Sequence, residues 1–301
     1  MRSGFVTVVG RPNVGKSTLV NAMVGTKVTI TATRPNTTRH SIRGVVHRPD
    51  GQLVLIDTPG IHRPRTALGE RLNETADASL ADVDVIVVVV DATAPIGPGD
   101  RLVLERALRA AGGPSAGRVV VVVNKLDAAA RPQVAERLAG AAAAVEGLAE
   151  SEARLAAAAE AVEYFPVSAA TGEGVAALVE AVAALVPEGP AYYPTDMVSD
   201  TPEALRVAEL VREQLLVRAR EELPHSIACR VTEWEWPLIR CEILVERDSQ
   251  KAIVIGRGGS VLKEVGSAVR RQLPAGAYLE LFVRVEKRWQ QRPDALDRLG
   301  Y

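Results

Sequence analysis

Five short apolar runs constrain what this chain can fold into more than any other feature. They occupy residues 5–9, 53–56, 85–90, 119–123 and 164–167, and the two at 85–90 and 119–123 are almost pure valine. A strand with one wet face alternates apolar and polar residues. A run without alternation belongs to a sheet covered on both faces. Between the runs lie stretches of helical character at 17–24, 68–81, 100–111, 133–161 and 175–185. Strand and helix in turn predict an α/β fold over residues 1–186, a doubly wound sheet with helices on both faces. Residues 128–161 hold 16 alanines in 34 positions, which predicts a long surface helix, broken near Gly147, with no chemistry of its own.

A chain of 301 residues exceeds what one core usually holds, so a second domain is expected. Four prolines between 187 and 202 mark that segment as the linker. Residues 203–301 then predict a smaller α+β domain. Its expected elements are a helix over 203–221, strands at 226–235 and 238–247 joined at Trp236-Pro237, and a strand at 251–255. A glycine turn, a helix through 273, a strand at 278–286 and a short helix near 294–299 complete it.

Charge narrows the partners. The whole chain balances 36 Lys+Arg against 37 Asp+Glu, which excludes a strongly basic nucleic-acid coat. Within the second domain the balance is uneven: residues 187–246 carry 6 basic against 12 acidic side chains, and residues 247–292 carry 10 against 4. A polarised small domain suggests one face for an anionic partner. No apolar run approaches the ~18 residues of a spanning helix. The start of the chain lacks a signal-peptide pattern, and Cys229 and Cys241 cannot build a disulfide framework or a zinc site. A soluble, intracellular protein with reduced thiols is expected.

The chemistry is concentrated in short motifs. Gly10-Arg11-Pro12-Asn13-Val14-Gly15-Lys16-Ser17 fits G-x-x-x-x-G-K-S between a predicted strand and a predicted helix, with Thr18 following. Such a loop turns backbone N–H groups toward phosphate oxygens at a helix N-terminus. Lys16 can reach the β- and γ-phosphates and Ser17 can ligate Mg²⁺. Asp57-Thr58-Pro59-Gly60 follows a strand 40 residues past Ser17. Asp57 can hold Mg²⁺ through water, and the Gly60 N–H can meet a γ-phosphate. Asn124-Lys125-Leu126-Asp127 follows the strand at 119–123. A carboxylate at Asp127 accepts from guanine's ring N–H and amine, whereas adenine presents an acceptor there and leaves the charge unpaired. Such a mismatch discriminates on the order of 10⁴-fold. Asn124 would tie this loop to the phosphate loop, the Lys125 stem would cover the base, and Ser168-Ala169 would offer an N–H to the guanine oxygen.

In the second domain Gly256-Arg257-Gly258-Gly259 is a G-x-x-G turn between a predicted strand and a helix. With two strands before and one after, it matches a KH module, whose loop lets backbone clamp about four nucleotides. Arg257 and Lys263 would contact phosphates, with Arg270, Arg271, Lys287 and Arg288 as a basic rim. Trp234, Trp236 and Trp289 are expected in the core rather than stacked on bases.

The four nucleotide motifs occur in the order and spacing of translation-factor-like GTPases. Ala32-Thr33-Arg34-Pro35-Asn36-Thr37-Thr38-Arg39-His40 resembles the switch I loop of the Era family, and Asp57-Thr58-Pro59-Gly60-Ile61-His62 resembles its switch II. Glu222-Leu223-Pro224-His225-Ser226 and the tail Leu299-Gly300-Tyr301 also look like family patterns, so the resemblance spans nearly the whole chain. It implies GTP/GDP as ligand with Mg²⁺ held by Ser17, Asp57 and a switch threonine, Thr38 or else Thr37. Lys16, Thr38 and Gly60 would be the catalytic groups. Position 61 is Ile where many GTPases carry a water-orienting Gln, and related GTPases with an Asn at the Asn13 position use K⁺ near the phosphates. The resemblance further implies a monomer that binds the 3′ end of small-subunit ribosomal RNA and acts in 30S assembly in the cytoplasm. Family members also show a peripheral contact with the inner face of the membrane, which no residue pattern here carries. The Ala-rich stretch is longer than the family usually has. Two other classes compete: an RNA chaperone with a structural GTP, and a membrane-peripheral signalling GTPase.

Overall fold

The computed structural model describes residues 1–34, 36–64, 66–113, 117–218 and 226–301. They form two compact units. The first comprises Met1–Thr29, Thr38–Arg63 and Leu72–Asp200, and the second Ile30–Thr37, Pro64–Arg71 and Thr201–Tyr301. Neither unit is the contiguous block that 1–186, 187–202 and 203–301 would give. The proline-rich segment is no loose tether through residue 200, because its polar backbone is satisfied by the first unit. The Val45 N–H donates to the Val198 carbonyl at 2.9 Å, and the Gln52 Oε1 accepts from the Tyr192 N–H at 2.8 Å.

In the first unit, among the described residues, strands β1 (Arg2–Gly10), β2 (Ile42–Arg48), β3 (Gly51–Asp57), β4 (Val85–Asp91), β5 (Arg118–Asn124) and β6 (Glu163–Val167) form one sheet in the order β2-β3-β1-β4-β5-β6. All pairings are parallel except β2 against β3. Helices α1 (Lys16–Val24), α2 (Ala67–Ala78), α3 (Pro98–Ala111), α4 (Arg131–Ser151), α5 (Ala156–Glu160) and α6 (Val175–Leu185) connect and cover it. The valine runs now have their physical reason. Successive strand side chains point to opposite faces, so Val88, Val90, Val121 and Val123 pack with Leu104, Leu108 and Val145 of α3 and α4. Val87, Val89, Val120 and Val122 pack with Leu19, Val20, Leu178 and Val182 of α1 and α6. Both faces are dry, so both must be apolar.

Two expectations from the sequence need correction here. No apolar run announces β2; it is an edge strand, and charged residues interrupt its apolar pattern. The Ala-rich helix does not break at Gly147, where an added Cβ would meet nothing within 4 Å. Helix α4 runs on to Ser151, and the break comes at Glu152, whose backbone turns extended at φ −144° and ψ 94°.

In the second unit, helix α7 (Glu203–Arg218) precedes β7 (Ala228–Glu235), β8 (Leu238–Val245), α8 (Asp248–Ile255), α9 (Ser260–Arg270), β9 (Tyr278–Val285) and α10 (Pro293–Leu299). The sheet order is β7-β8-β9, antiparallel then parallel. The expected strand at 251–255 is helix α8. Its β-branched Ile-Val-Ile run suggested a strand, yet only Val254 is buried. The Gln250 Oε1, accepting from the Glu246 and Arg247 N–H groups at 2.8 and 3.1 Å, starts the helix. The end of the expected 203–221 helix and Glu222-Leu223-Pro224-His225 lie outside the described residues. Val211, Leu215, Ile227, Cys241, Ile243, Val265 and Val269 form the core of this unit, and Ile30 joins it. Trp289 is fully buried and donates from Nε1 to the Ser226 carbonyl at 3.0 Å, whereas Trp236 is 52% exposed at the hairpin turn. Cys229 and Cys241 are buried free thiols. No described helix is long and apolar enough to cross a membrane.

Candidate functional site

In the first unit the ends of β1, β3, β4 and β5 lie in register, with Val8 beside Asp57 and Asp91 beside Asn124. The loops that follow these ends open at one edge of the sheet, where doubly wound sheets bind ligands.

Between β1 and α1, Gly15 adopts φ +96°, which a side chain rarely tolerates. A Cβ there would also meet the Asn124 Nδ2 at 2.3 Å. Lys16 is buried and donates from Nζ to the carbonyls of Gly10 and Arg11 at 3.1 and 3.0 Å. Its ammonium thus curls over the loop in a cradle made for an anion. Burial lowers its pKa to about 8 against the opposing pull of Asp57. Asn13 sits exposed at the crest with φ 67°. The Arg11 side chain turns away, its Nε bonded to Asp100 Oδ1 at 2.6 Å.

Asp57 ends β3 with no exposed surface. Its Oδ2 accepts from the hydroxyls of Thr29 at 2.8 Å and Thr38 at 3.2 Å, and the Ser17 and Thr38 hydroxyls lie 2.8 Å apart. Burial raises its pKa, while Ser17, Lys16, Thr29 and Thr38 oppose that shift. Oδ1 is buried with no partner among the described residues. The Ser17 and Thr38 hydroxyls with the orphaned Asp57 oxygen form a set of hard oxygen donors that suits Mg²⁺, which prefers oxygen and keeps several waters. The Thr37 hydroxyl does not join them; it donates to the Arg34 carbonyl at 2.6 Å.

Past Asp57, the Thr58 hydroxyl faces inward and donates to the Val8 carbonyl at 2.8 Å, so its side chain holds the strand rather than a ligand. Pro59 is buried. Gly60 lies against the phosphate loop, where a Cβ would meet the Pro12 nitrogen at 2.8 Å. Ile61 is 1% exposed in the core, and its N–H donates to the Gly10 carbonyl at 3.2 Å. Position 61 therefore presents no polar group to the phosphate side.

Asn124 joins three loops. Its Nδ2 donates to the Val14 carbonyl at 2.9 Å and its Oδ1 accepts from the Ala169 N–H at 2.9 Å. Asp127 is exposed, with Oδ1 accepting from the buried Ser168 hydroxyl at 2.5 Å. That bond orients the carboxylate and leaves it open to solvent for a base. Lys125, two residues before Asp127, forms an ion pair with Asp91 at 2.5 Å. Burial would raise the Asp91 pKa, but bonds from Lys125 and Thr93 outweigh it and the net shift is downward. Thr18 is half-buried on the first turn of α1.

In the second unit, Gly256 ends α8 with φ +75°, Gly258 and Gly259 have φ +58° and +79°, and α9 starts at Ser260. A Cβ at Gly258 or Gly259 would meet nothing within 4 Å, so the loop is open above them. Arg257 and Lys263 are exposed on either side of the turn. Arg270 and Arg271 are exposed at the far end of α9, about 16 Å along the helix from the loop.

Sequence reasoning missed Thr29, Asp91 and Asp100. None carries a local motif; each acts by being folded against a motif residue. Among the described residues no group of three His, Cys, Asp or Glu could hold a metal ion.

Comparison with known proteins agrees with this geometry. A family model described as "50S ribosome-binding GTPase" matches residues 5–125, and one described as "KH domain" matches residues 222–290. Fold and site together define a P-loop GTPase fused to a KH module. GTPase Era of Mycobacterium tuberculosis (strain ATCC 25618 / H37Rv) is 48% identical over 99% of this chain and 98% of its own length. That of Mycobacterium avium (strain 104) is 47% identical over 100% and 99%. The chain belongs to the Era family of GTPases. Among solved structures, Era in complex with MgGDPNP and nucleotides 1506–1542 of 16S ribosomal RNA aligns with a TM-score of 0.88 at 35% identity, covering 100% of this chain and 99% of that one. A single-residue variant of Aquifex aeolicus Era bound to GDP·AlF4⁻ aligns at 0.87 with the same identity and coverage.

Asp127→Asn is expected to lose affinity for guanine nucleotides by about a hundredfold or more, since a carboxylate partner to two donors is removed. It should gain affinity for xanthosine triphosphate, whose ring oxygen accepts from the new amide. Competition binding with the two triphosphates checks both halves.

Proposed function

We propose that this chain is a GTP-hydrolysing switch that binds the 3′ end of 16S ribosomal RNA through its KH loop and acts in assembly of the 30S subunit. One observation carries the reading: the solved relative that covers the full chain holds both MgGDPNP and 16S nucleotides. The reaction is GTP plus water to GDP and phosphate.

The phosphates of GTP lie over residues 10–18, with the N–H groups at the start of α1 and the Lys16 ammonium against their charge. Ser17, Thr38 and Asp57 would hold Mg²⁺, which would supply positive charge against the charge that develops on the phosphates. Thr38 rather than Thr37 is the switch threonine, because only its hydroxyl lies beside Ser17 and Asp57. The Gly60 N–H meets the γ-phosphate. Asn124, Lys125, Asp127, Ser168 and Ala169 read guanine. Since Ile61 is turned into the core, no side chain there orients the attacking water, and turnover without partners is slow.

In the second unit, residues 256–259 clamp single-stranded RNA by backbone, with Arg257 and Lys263 on its phosphates. Arg270 and Arg271 meet RNA further along α9. The protein works as a monomer in the cytoplasm, where small subunits mature, with a peripheral contact to the inner membrane face as a second location.

Two outcomes test this reading. Replacing Gly258 and Gly259 together by Asp strains the turn by about 1–2 kcal/mol per position but removes no packing. RNA binding should be lost and GTP binding kept. Arg257→Ala and Lys263→Ala should each flatten the log–log salt slope by about 0.7. Unchanged affinity for the 16S 3′ end would contradict the KH assignment. Separately, hydrolysis should be faster in K⁺ than in Na⁺, and Asn13→Ala should abolish the difference; equal rates in both salts would remove Asn13 from a cation site.

A further inference from the structure

Thr29 follows α1 in the first unit and is buried, and its hydroxyl donates to Asp57 Oδ2 at 2.8 Å. No local motif places it there. Asn21 does: its Oδ1 accepts from the Val28 and Thr29 N–H groups at 2.9 and 3.0 Å, and its Nδ2 donates to the Thr29 carbonyl at 2.9 Å. One amide thus satisfies three backbone groups, including both of those on Thr29. Asn21 comes four residues after Ser17, so the two side chains share a face of α1 one turn apart. Gly25, at φ +80°, ends that helix and lets the chain turn back to Asn21. The helix that carries Ser17 therefore also fixes the backbone from which the Thr29 hydroxyl leaves.

The hydroxyls around Asp57 are not equivalent. Those of Ser17 and Thr38 lie 2.8 Å apart and are the ones assigned to the metal. Among the described residues Thr29 bonds to neither of them and reaches the site through Asp57. A carboxylate turns broadly about its last torsion, so a donor that holds one oxygen decides which oxygen is left over. Here Thr29 and Thr38 both hold Oδ2, and Oδ1 is buried with no partner among the described residues. Thr38 is not a permanent holder, because a switch loop is ordered by the γ-phosphate with its metal and released after hydrolysis. Thr29 is tied to α1 through Asn21, and that tie involves no γ-phosphate.

We propose that Thr29 is a positioning residue for magnesium: from a backbone clamped by Asn21 it holds Asp57 Oδ2, so that Oδ1 stays free for the metal and its waters whether GDP or GTP is bound. The proposal rests on Asp57 belonging to the magnesium site. Thr29 touches neither nucleotide nor metal and acts through Asp57 alone. Asn21, Thr29, Asp57, Ser17 and Thr38 all belong to the first unit. Thr38 serves only the triphosphate state, whereas Thr29 serves both states.

The test follows the release of a fluorescent GDP, and of a fluorescent non-hydrolysable GTP analogue, from the full chain as Mg²⁺ is titrated. Thr29→Val keeps the side-chain shape and removes the hydroxyl. It should raise the Mg²⁺ concentration needed for half-maximal retention about ten- to a hundredfold, the usual cost of losing a group that orients a metal ligand, and for both nucleotides alike. Thr38→Ala should raise it for the GTP analogue only. Thr29→Ser, which keeps the hydroxyl, should behave as wild type. Asn21→Ala in the Thr29→Val background should add no further Mg²⁺ deficit, since residues acting through one group are non-additive. Release in EDTA should be the same in every variant, which shows that the first unit remains folded; Thr29→Ala serves if the valine variant fails this control. Wild-type Mg²⁺ dependence of GDP release in the folded Thr29→Val protein, or a Thr29→Ser protein as impaired as the valine one, would overturn the role of Thr29. A further deficit from Asn21→Ala in that background would overturn the clamp. An Asp57→Asn protein that retains GDP at wild-type Mg²⁺ would instead remove Asp57 from the metal site, and this proposal with it.

Discussion

The nucleotide site depends on one buried carboxylate. Asp57 has no exposed surface, yet the role proposed for it requires it to carry charge beside a magnesium ion. A lone carboxylate in such a place would neutralise itself. Here hydroxyls from Thr29 and Thr38 donate to it and the Lys16 ammonium adds attraction, but burial still holds its pKa above the ordinary value. The deficit is what a divalent cation relieves. Anything that binds only the folded state adds to its stability, by about 2.7 kcal/mol at a hundred times its Kd. Mg²⁺ with nucleotide should therefore stabilise the first unit as well as arm it.

Glycine serves the two sites for different reasons. Gly15 is required by crowding as well as by its positive φ, since Asn124 fills the place a Cβ would take. Gly258 and Gly259 stand in open space, so only their backbone angles and the room above them call for glycine. The first loop is closely packed, with Asn124 against Gly15. The second is open above its glycines. Asn124 adds rigidity to the first by linking the phosphate loop and the Ser168-Ala169 loop through one amide.

Much of this was legible in the sequence because the relevant chemistry is local. A P-loop motif needs eight consecutive residues between a strand and a helix, and a strand buried on both faces leaves an unbroken valine run. What stayed hidden depends on distance along the chain. Strand β2 pairs at the sheet edge with an interrupted apolar pattern. Helix α8 carries Ile-Val-Ile, whose β-branched side chains suggest a strand until tertiary packing buries only one of them. Thr29 and Asp91 have ordinary neighbours and acquire roles only when Asp57 and Lys125 fold against them. Prolines mark 187–202 as a connection, but they say nothing about which surface a segment lies on. Only the fold shows that the Thr38 hydroxyl faces Asp57 and the Thr37 hydroxyl does not, because two adjacent identical residues cannot reveal it.

A crystal structure with Mg²⁺ and a non-hydrolysable GTP analogue tests the central claim most directly. The Ser17 and Thr38 hydroxyls are expected as direct metal ligands at about 2.1 Å, with Asp57 behind them and the guanine edge on Asp127. A metal held without Thr38, or a base turned away from Asp127, would contradict the assignment of this site.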